Sequence, residues 1–330
     1  MRVDLASSPF YDEFVSTLLS QSKDDQIDFA QVAFGPDGSI PGSIGGAKAP
    51  SAVIVLHEWC ARAARARASG GRRARLGARV RSDFARARAR RHTCHPRPAR
   101  TRRPPPDAPA RDDRARSVGG RWGVTPQVLA HAAVLAASGY RVLVPDLYRG
   151  ELGMSTDEAQ RLMRDLDFPA AVNEICHAAK YLKGEGARAV GVLGFNMGGA
   201  LALAAAAKCA EVGCAVCCYG VNFGLFDPKE LLGKPVQSHF GASDNMSGFS
   251  DLACARTLHI TLHEAGHPCA EVFEYARGGH AFLNDDPAPF DSFEAREAKM
   301  GTPPFDKKEA LVAWDRILGF FAQHLAGKAD

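Results

Sequence analysis

Six short apolar runs, at residues 52–57, 141–146, 189–195, 214–220, 235–241 and 270–275, constrain this chain more than any other feature. They include AVIVLH, RVLVPD and AVGVLGF. Their hydrophobicity is nearly continuous and does not alternate, which suits strands of a parallel sheet covered on both faces. Helical patterns fall between them at 126–138, at 157–183 with a break near Pro169, at 198–208 and at 251–266; another, 307–325, closes the chain. Strand and helix in alternation predict an α/β class, doubly wound, with a mainly parallel sheet and helices on both faces. Ligands of such folds sit beyond the carboxyl ends of the strands, so candidate sites are sought just after each run.

One segment breaks the order. Residues 60–121 hold 20 Arg, no Lys and four Asp, a local charge of +16, while the other 268 residues hold 21 Lys and Arg against 33 Asp and Glu, a charge of −12. The overall +4 therefore describes neither part. Within the segment only Leu76, Val80, Phe84 and Val118 are sizeable apolar residues, too few to offset chain entropy by burial, so it reads as a disordered insert. Deleting it would join Trp59 to Trp122, a strand end running into a helix. Residues 1–59 and 122–330 then form a single domain. Three readings of the insert stay open: a retained intron or gene-model error, a natural disordered insertion, and an arm that binds nucleic acid through charge. The last lacks the interleaved aromatics that stack on bases. The cluster from His92 to His95 has no second ligand pair to make a metal site.

No run approaches the ~18 apolar residues that span a bilayer. Asp4, Asp12 and Glu13 stand where a signal or transit peptide is basic and apolar, so the expected location is the cytoplasm. Nine cysteines without regular spacing argue against a secreted disulfide framework. Cys214, Cys217 and Cys218 lie in an apolar run and read as small buried thiols. No cofactor motif is recognisable, and neither a cofactor nor a metal is expected. Oligomeric state is left open.

The chemistry concentrates in three places. Residues 192–200, VLGFNMGGA, are a strand, a tight turn and a helix, with glycines two residues to either side of Asn196, the spacing of a nucleophile elbow. Asp244, in Gly-Ala-Ser-Asp, follows the fifth run, and His280, in Gly-Gly-His-Ala-Phe, follows the sixth. Nucleophile, acid and histidine in that order, each after a strand, is the pattern of the α/β-hydrolase fold.

On these motifs, with His57-Glu58-Trp59, the 145–150 stretch PDLYRG, the 234–244 stretch and 279–286 (GHAFLNDD), the chain resembles the dienelactone hydrolase (carboxymethylenebutenolidase) family over residues 50–59 and 122–325. The resemblance implies hydrolysis of small esters or lactones by a cysteine, aspartate and histidine, with a glutamate controlling the thiol. Asp244, His280 and Glu58 match those positions. Asn196 stands where the cysteine belongs. The resemblance further implies that an arginine near Arg149 holds a substrate carboxylate, while Asn284 falls near where a second arginine is expected. Tyr148 and Trp122 read as packing residues, and His239, His263 and His267 as surface or strand residues.

Asn tolerates the positive φ of an elbow better than most residues with a Cβ. Its neutral amide, however, offers no nucleophile that His280 could unmask by taking a proton. What would survive is an oxyanion site, from the backbone N–H groups of Met197 and Trp59, and a histidine able to activate water. Three functions follow as alternatives: weak ester or lactone hydrolysis, a catalytically dead relative that binds a small acid or a protein, and association with nucleic acid through the insert.

Overall fold

The computed structural model describes residues 2–4, 26–58, 123–153, 156–267, 270–288 and 290–326. All of them belong to one unit of the chain, residues 1–63 with 118–330. Trp59, Trp122 and the whole Arg-rich segment, with its nucleic-acid and metal readings, lie outside the described residues.

All six expected strands form. They are β5 (Ser51–Leu56), β6 (Arg141–Pro145), β7 (Ala189–Phe195), β8 (Cys214–Cys218), β9 (Val236–Gly241) and β10 (Ala270–Tyr275). Two more complete an eight-stranded sheet: β3 (Ala30–Phe34) and β4 (Ile40–Gly45), in the order β10-β9-β8-β7-β5-β6-β4-β3. Pairing is parallel from β10 through β6, while β4 runs antiparallel to both β6 and β3. A separate antiparallel pair joins β1 (Arg2–Asp4) to β2 (Gln26–Asp28).

β4 is not legible as a strand in the sequence, because Pro41, Gly42 and Gly45 are poor strand formers. The structure gives the glycines a reason. A Cβ on Gly42 would lie 3.1 Å from the Phe34 ring, and one on Gly45 would lie 2.8 Å from the Phe29 ring. Missing side chains thus make room for the aromatics that cover this edge.

The helices are α1 (Pro126–Ala137), α2 (Thr156–Asp165), α3 (Phe168–Gly184), α4 (Met197–Lys208), α5 (Leu252–Glu264), α6 (Phe293–Met300) and α7 (Lys307–Leu325). Side-chain caps start most of them: Thr125 accepts from Val128 N, Asp167 from Ala170 N, Asp251 from Cys254 N and Asp306 from Glu309 N. Asp167 begins α3 two residues before Pro169, which explains the break in the long helical pattern. Only α6 was not anticipated, although Ser292 caps its start and Gly301 ends it at φ 66°.

Continuous apolar strands resolve into two cores. Ile54, Leu56, Val190 and Val192 face one way, with Ile175 of α3, Leu201 of α4 and Leu258 of α5. Val53, Val55, Leu193 and Phe195 face the other, with Leu135 of α1 and Trp314 and Phe321 of α7. Period-two alternation feeds both layers at once, and α4 leaves the sheet from β7, a middle strand whose residues are buried from Val190 onward.

The buried reading holds for Cys214, Cys217 and Cys218, and burial pushes the first two thiols up to about 12. One pair departs from the thiol reading: Cys176 of α3 is joined by a disulfide to Cys209, just after α4. Their separation of 33 residues follows no spacing rule, and the bond arises because the two helices pack together. His239 lies on β9 and His263 is exposed, as expected, but His267 is neither on the surface nor on a strand: it is buried after α5, with Nε2 2.8 Å from Leu231 O.

Candidate active site

The elbow forms as the glycine spacing requires. Asn196 follows β7 directly at φ 54°, ψ −118°, and α4 starts at the next residue. Glycines allow the surrounding backbone to close in. A Cβ on Gly194 would lie 1.9 Å from Gly198 O, one on Gly198 2.7 Å from Leu56 O, and one on Gly220 1.9 Å from Asn196 O. Of these, Gly220 has no counterpart in the motif, yet it presses on the elbow from the end of β8.

Asp244 lies three residues beyond β9 and His280 five beyond β10, so neighbouring parallel strands deliver both to the same end of the sheet. The Asp244 carboxylate accepts from Met246 N at 2.9 Å through Oδ1, and its Oδ2 lies 2.7 Å from Nδ1 of His280. The hydroxyl of buried Ser250 is 3.1 Å from the same nitrogen. A carboxylate at Nδ1 fixes the tautomer: Nδ1 carries the proton and Nε2 is left as the acceptor.

Nε2 faces Asn196, whose Nδ2 is 2.5 Å away. At its other end the amide accepts from Met197 N, with Oδ1 at 2.7 Å. The orientation of the amide is thereby assigned, since only the nitrogen can donate to a histidine lone pair. Asn196, His280 and Asp244 are all buried. In one side chain, Asn196 occupies the lone pair of the base and the backbone N–H at the start of α4.

Glu58 follows β5 and enters the same region. The Tyr219 hydroxyl donates to its Oε1 at 3.1 Å, and Asn284 Nδ2 donates to its Oε2 at 3.0 Å. Burial first, then the carboxylate beside it, pushes the Tyr219 phenol well above its ordinary range, which keeps the O–H in place as a donor. The Tyr219 ring meets the His280 ring edge-on at 5.5 Å. Tyr148 is buried, with its hydroxyl 3.6 Å from Met197 Sδ and its ring 4.7 Å from that of His57.

Arg149 is placed differently from the other residues. At φ 56° in a loop whose N–H groups bond to Asp146, it puts Nη2 2.5 Å from Glu174 Oε1 of α3. The structure joins it to this half-buried partner. Trp59, the other expected oxyanion donor, lies outside the described residues. Tyr219, Ser250 and Arg296, whose guanidinium donates to the carbonyls of His280, Ala281 and Asn284, were not identified from the sequence. Only adjacency in space selects them.

Among the described residues, no group of three or more His, Cys, Asp or Glu is arranged to hold a metal ion, and no helix is long and apolar enough to cross a membrane.

The dienelactone hydrolase family model matches residues 118–325. The chain belongs to the dienelactone hydrolase family. Carboxymethylenebutenolidase 1 of Cupriavidus pinatubonensis is 30% identical over 216 residues, spanning 61% of this chain and 82% of that one. The carboxymethylenebutenolidase of Rhodococcus opacus is 30% identical over 218 residues, 62% of this chain and 78% of its own. Solved structures share the fold. A dienelactone hydrolase described as putative, from Klebsiella pneumoniae, superposes with a TM-score of 0.57 at 17% identity, covering 90% of this chain and 99% of its own. A dienelactone hydrolase-like promiscuous phosphotriesterase from metagenomic libraries gives 0.58 at 14% identity, with 90% and 98% covered. For this family member, the sheet order and the elbow are those of an α/β-hydrolase fold.

Proposed function

We propose that this protein binds small esters or lactones at the carboxyl ends of β7, β9 and β10 and hydrolyses them slowly through water, not through a covalent acyl intermediate. The observation that carries the reading is the 2.5 Å contact between Asn196 Nδ2 and His280 Nε2, with Asp244 behind the ring at 2.7 Å. A base and its orienting acid are aligned on position 196, and the side chain there cannot become a nucleophile. Names of the relatives support the substrate class, since the matched proteins are carboxymethylenebutenolidases.

In this scheme a substrate carbonyl displaces Asn196 Oδ1 from Met197 N–H, the oxyanion donor among the described residues. Water displaces Asn196 Nδ2 from His280 Nε2, which takes its proton as the water oxygen attacks the carbonyl carbon; Asp244 stabilises the imidazolium, which returns the proton to the leaving alkoxide as the acyl–oxygen bond breaks. Glu58, fixed by Tyr219 and Asn284, places a carboxylate beside the site and disfavours an anionic group close to it. With Nη2 of Arg149 on Glu174, this arginine is a weaker partner for a substrate carboxylate than an unpaired one.

A second reading, ligand binding without turnover, is favoured by one feature. Both polar ends of the Asn196 side chain are already satisfied within the protein, which holds the base and the N–H donor in a closed state.

Pre-steady-state hydrolysis of p-nitrophenyl acetate separates these cases. The water route gives a linear time course with no burst and loses its rate on His280→Ala. A burst of one equivalent overturns it, and a rate unchanged by His280→Ala leaves binding alone.

A further inference from the structure

Arg296 of α6 is the one buried residue of that helix; its neighbours on the helix are exposed or half-buried. A charged group is an expensive choice for such a place unless its donors are used. They are used on a single loop. Nη2 donates to Ala281 O at 2.9 Å and to His280 O at 3.3 Å, and Nη1 donates to Asn284 O at 3.3 Å. The Phe293 ring lies beneath the guanidinium, 5.7 Å away. Ala281 sits at φ 56°, a conformation that is unfavourable for a residue with a Cβ and needs support from its surroundings.

The gripped residues lead to both arms of the site. His280 reaches Asn196 and Asp244, and the Asn284 side chain holds Glu58. One guanidinium therefore sets the backbone of the base and the backbone of the residue that orients the neighbouring carboxylate.

We infer that Arg296 is a positioning residue, locking His280 and, through Asn284, Glu58 into one frame. It acts through the loop and touches no substrate. A planar fork with several N–H donors suits three carbonyls, whereas a lysine ammonium could reach one or two. The inference rests on the reading of His280 as the base, and its test has a readout that needs no turnover.

The experiment compares Arg296→Met and Arg296→Lys in the full-length protein and in its Asn196→Cys form. In the full-length protein, the far-downfield proton NMR signal of His280 Nδ1–H, assigned by its loss in His280→Ala, reports the bond to Asp244. Arg296→Met is expected to abolish or broaden that signal and, in the Asn196→Cys form, to lower kcat/KM for p-nitrophenyl acetate about 100-fold, the cost of misplacing a catalytic group by about 1 Å. Arg296→Lys is expected to recover part of both. A Met variant that keeps the signal and its kcat/KM while only its Tm falls overturns the inference. Should the Met variant not fold, the Lys variant decides: a signal and rate equal to those of unsubstituted Arg296 overturn it equally. An inactive Asn196→Cys protein that retains an Arg296-dependent signal defeats the hydrolase reading and leaves the positioning role standing.

Discussion

Asn196 Nδ2 and His280 Nε2 lie 2.5 Å apart, the arrangement in which a nucleophile passes its proton to a base. Here the donor is an amide, and the contact ends as a hydrogen bond. The same side chain accepts from Met197 N–H at 2.7 Å, so the residue in the nucleophile position also fills the first oxyanion donor. In the proposed function, slow chemistry and closure of the site have one cause.

Replacing Asn196 by glycine should release both groups without straining the turn, because glycine adopts φ near 54° freely. A hydrogen bond contributes about 1 kcal/mol net, so the His280-dependent hydrolysis of p-nitrophenyl acetate should rise about fivefold over the parent protein. An equal or lower rate would mean that the amide does not limit access to His280.

Gly220→Ala should destabilise the domain by about 1–3 kcal/mol, the usual range for forcing atoms into a packed interior. Its Cβ would stand 1.9 Å from Asn196 O and 2.6 Å from Asn196 C. Gly184→Ala is the control, since its Cβ would meet nothing within 4 Å at the exposed end of α3. Urea denaturation checks both; equal midpoints would show that the elbow yields easily.

Much of this architecture is legible in the residues, and the exceptions have physical reasons. Covered parallel strands write long apolar runs, so β5 to β10 are plain. The antiparallel strand β4, built from Ile40, Pro41 and two glycines, writes no such run, because its packing atoms come from Phe29 and Phe34. Asn196, Asp244 and His280 were readable because each follows a strand at a fixed offset. Tyr219, Ser250 and Arg296 were not, since a strand end, a loop serine and the arginine of an acidic and basic helix carry no local mark of their partners. The Cys176–Cys209 bond and the Arg149–Glu174 pair likewise depend on how helices and loops meet.

Acid should unfold this protein earlier than its surface charges suggest. Burial lowers the pKa of His57, His131 and His239, the last to about 3 with help from Arg316. Each is neutral in the folded state and gains a proton more readily when unfolded, so stability is complete above the unfolded value of about 6.5 and is lost as pH falls below it. For His239 the loss runs from about 6.5 down to about 3. At pH 5 that residue alone accounts for about 2 kcal/mol. Tm should fall between pH 7.5 and 5, and His239→Gln should flatten the decline; a Tm independent of pH over this range would contradict the assignment.

In the proposed function, an assembled hydrolase site is silenced by one side chain. Hydrolysis of p-nitrophenyl acetate and of a dienelactone by the parent protein and by Asn196→Cys tests it most directly. A burst of acylation and turnover at least about 1,000-fold faster are expected in the Cys protein, in line with what a nucleophile contributes to such a unit. Equal, slow rates in both proteins would show that the site is closed for reasons beyond Asn196 and would overturn the proposed function.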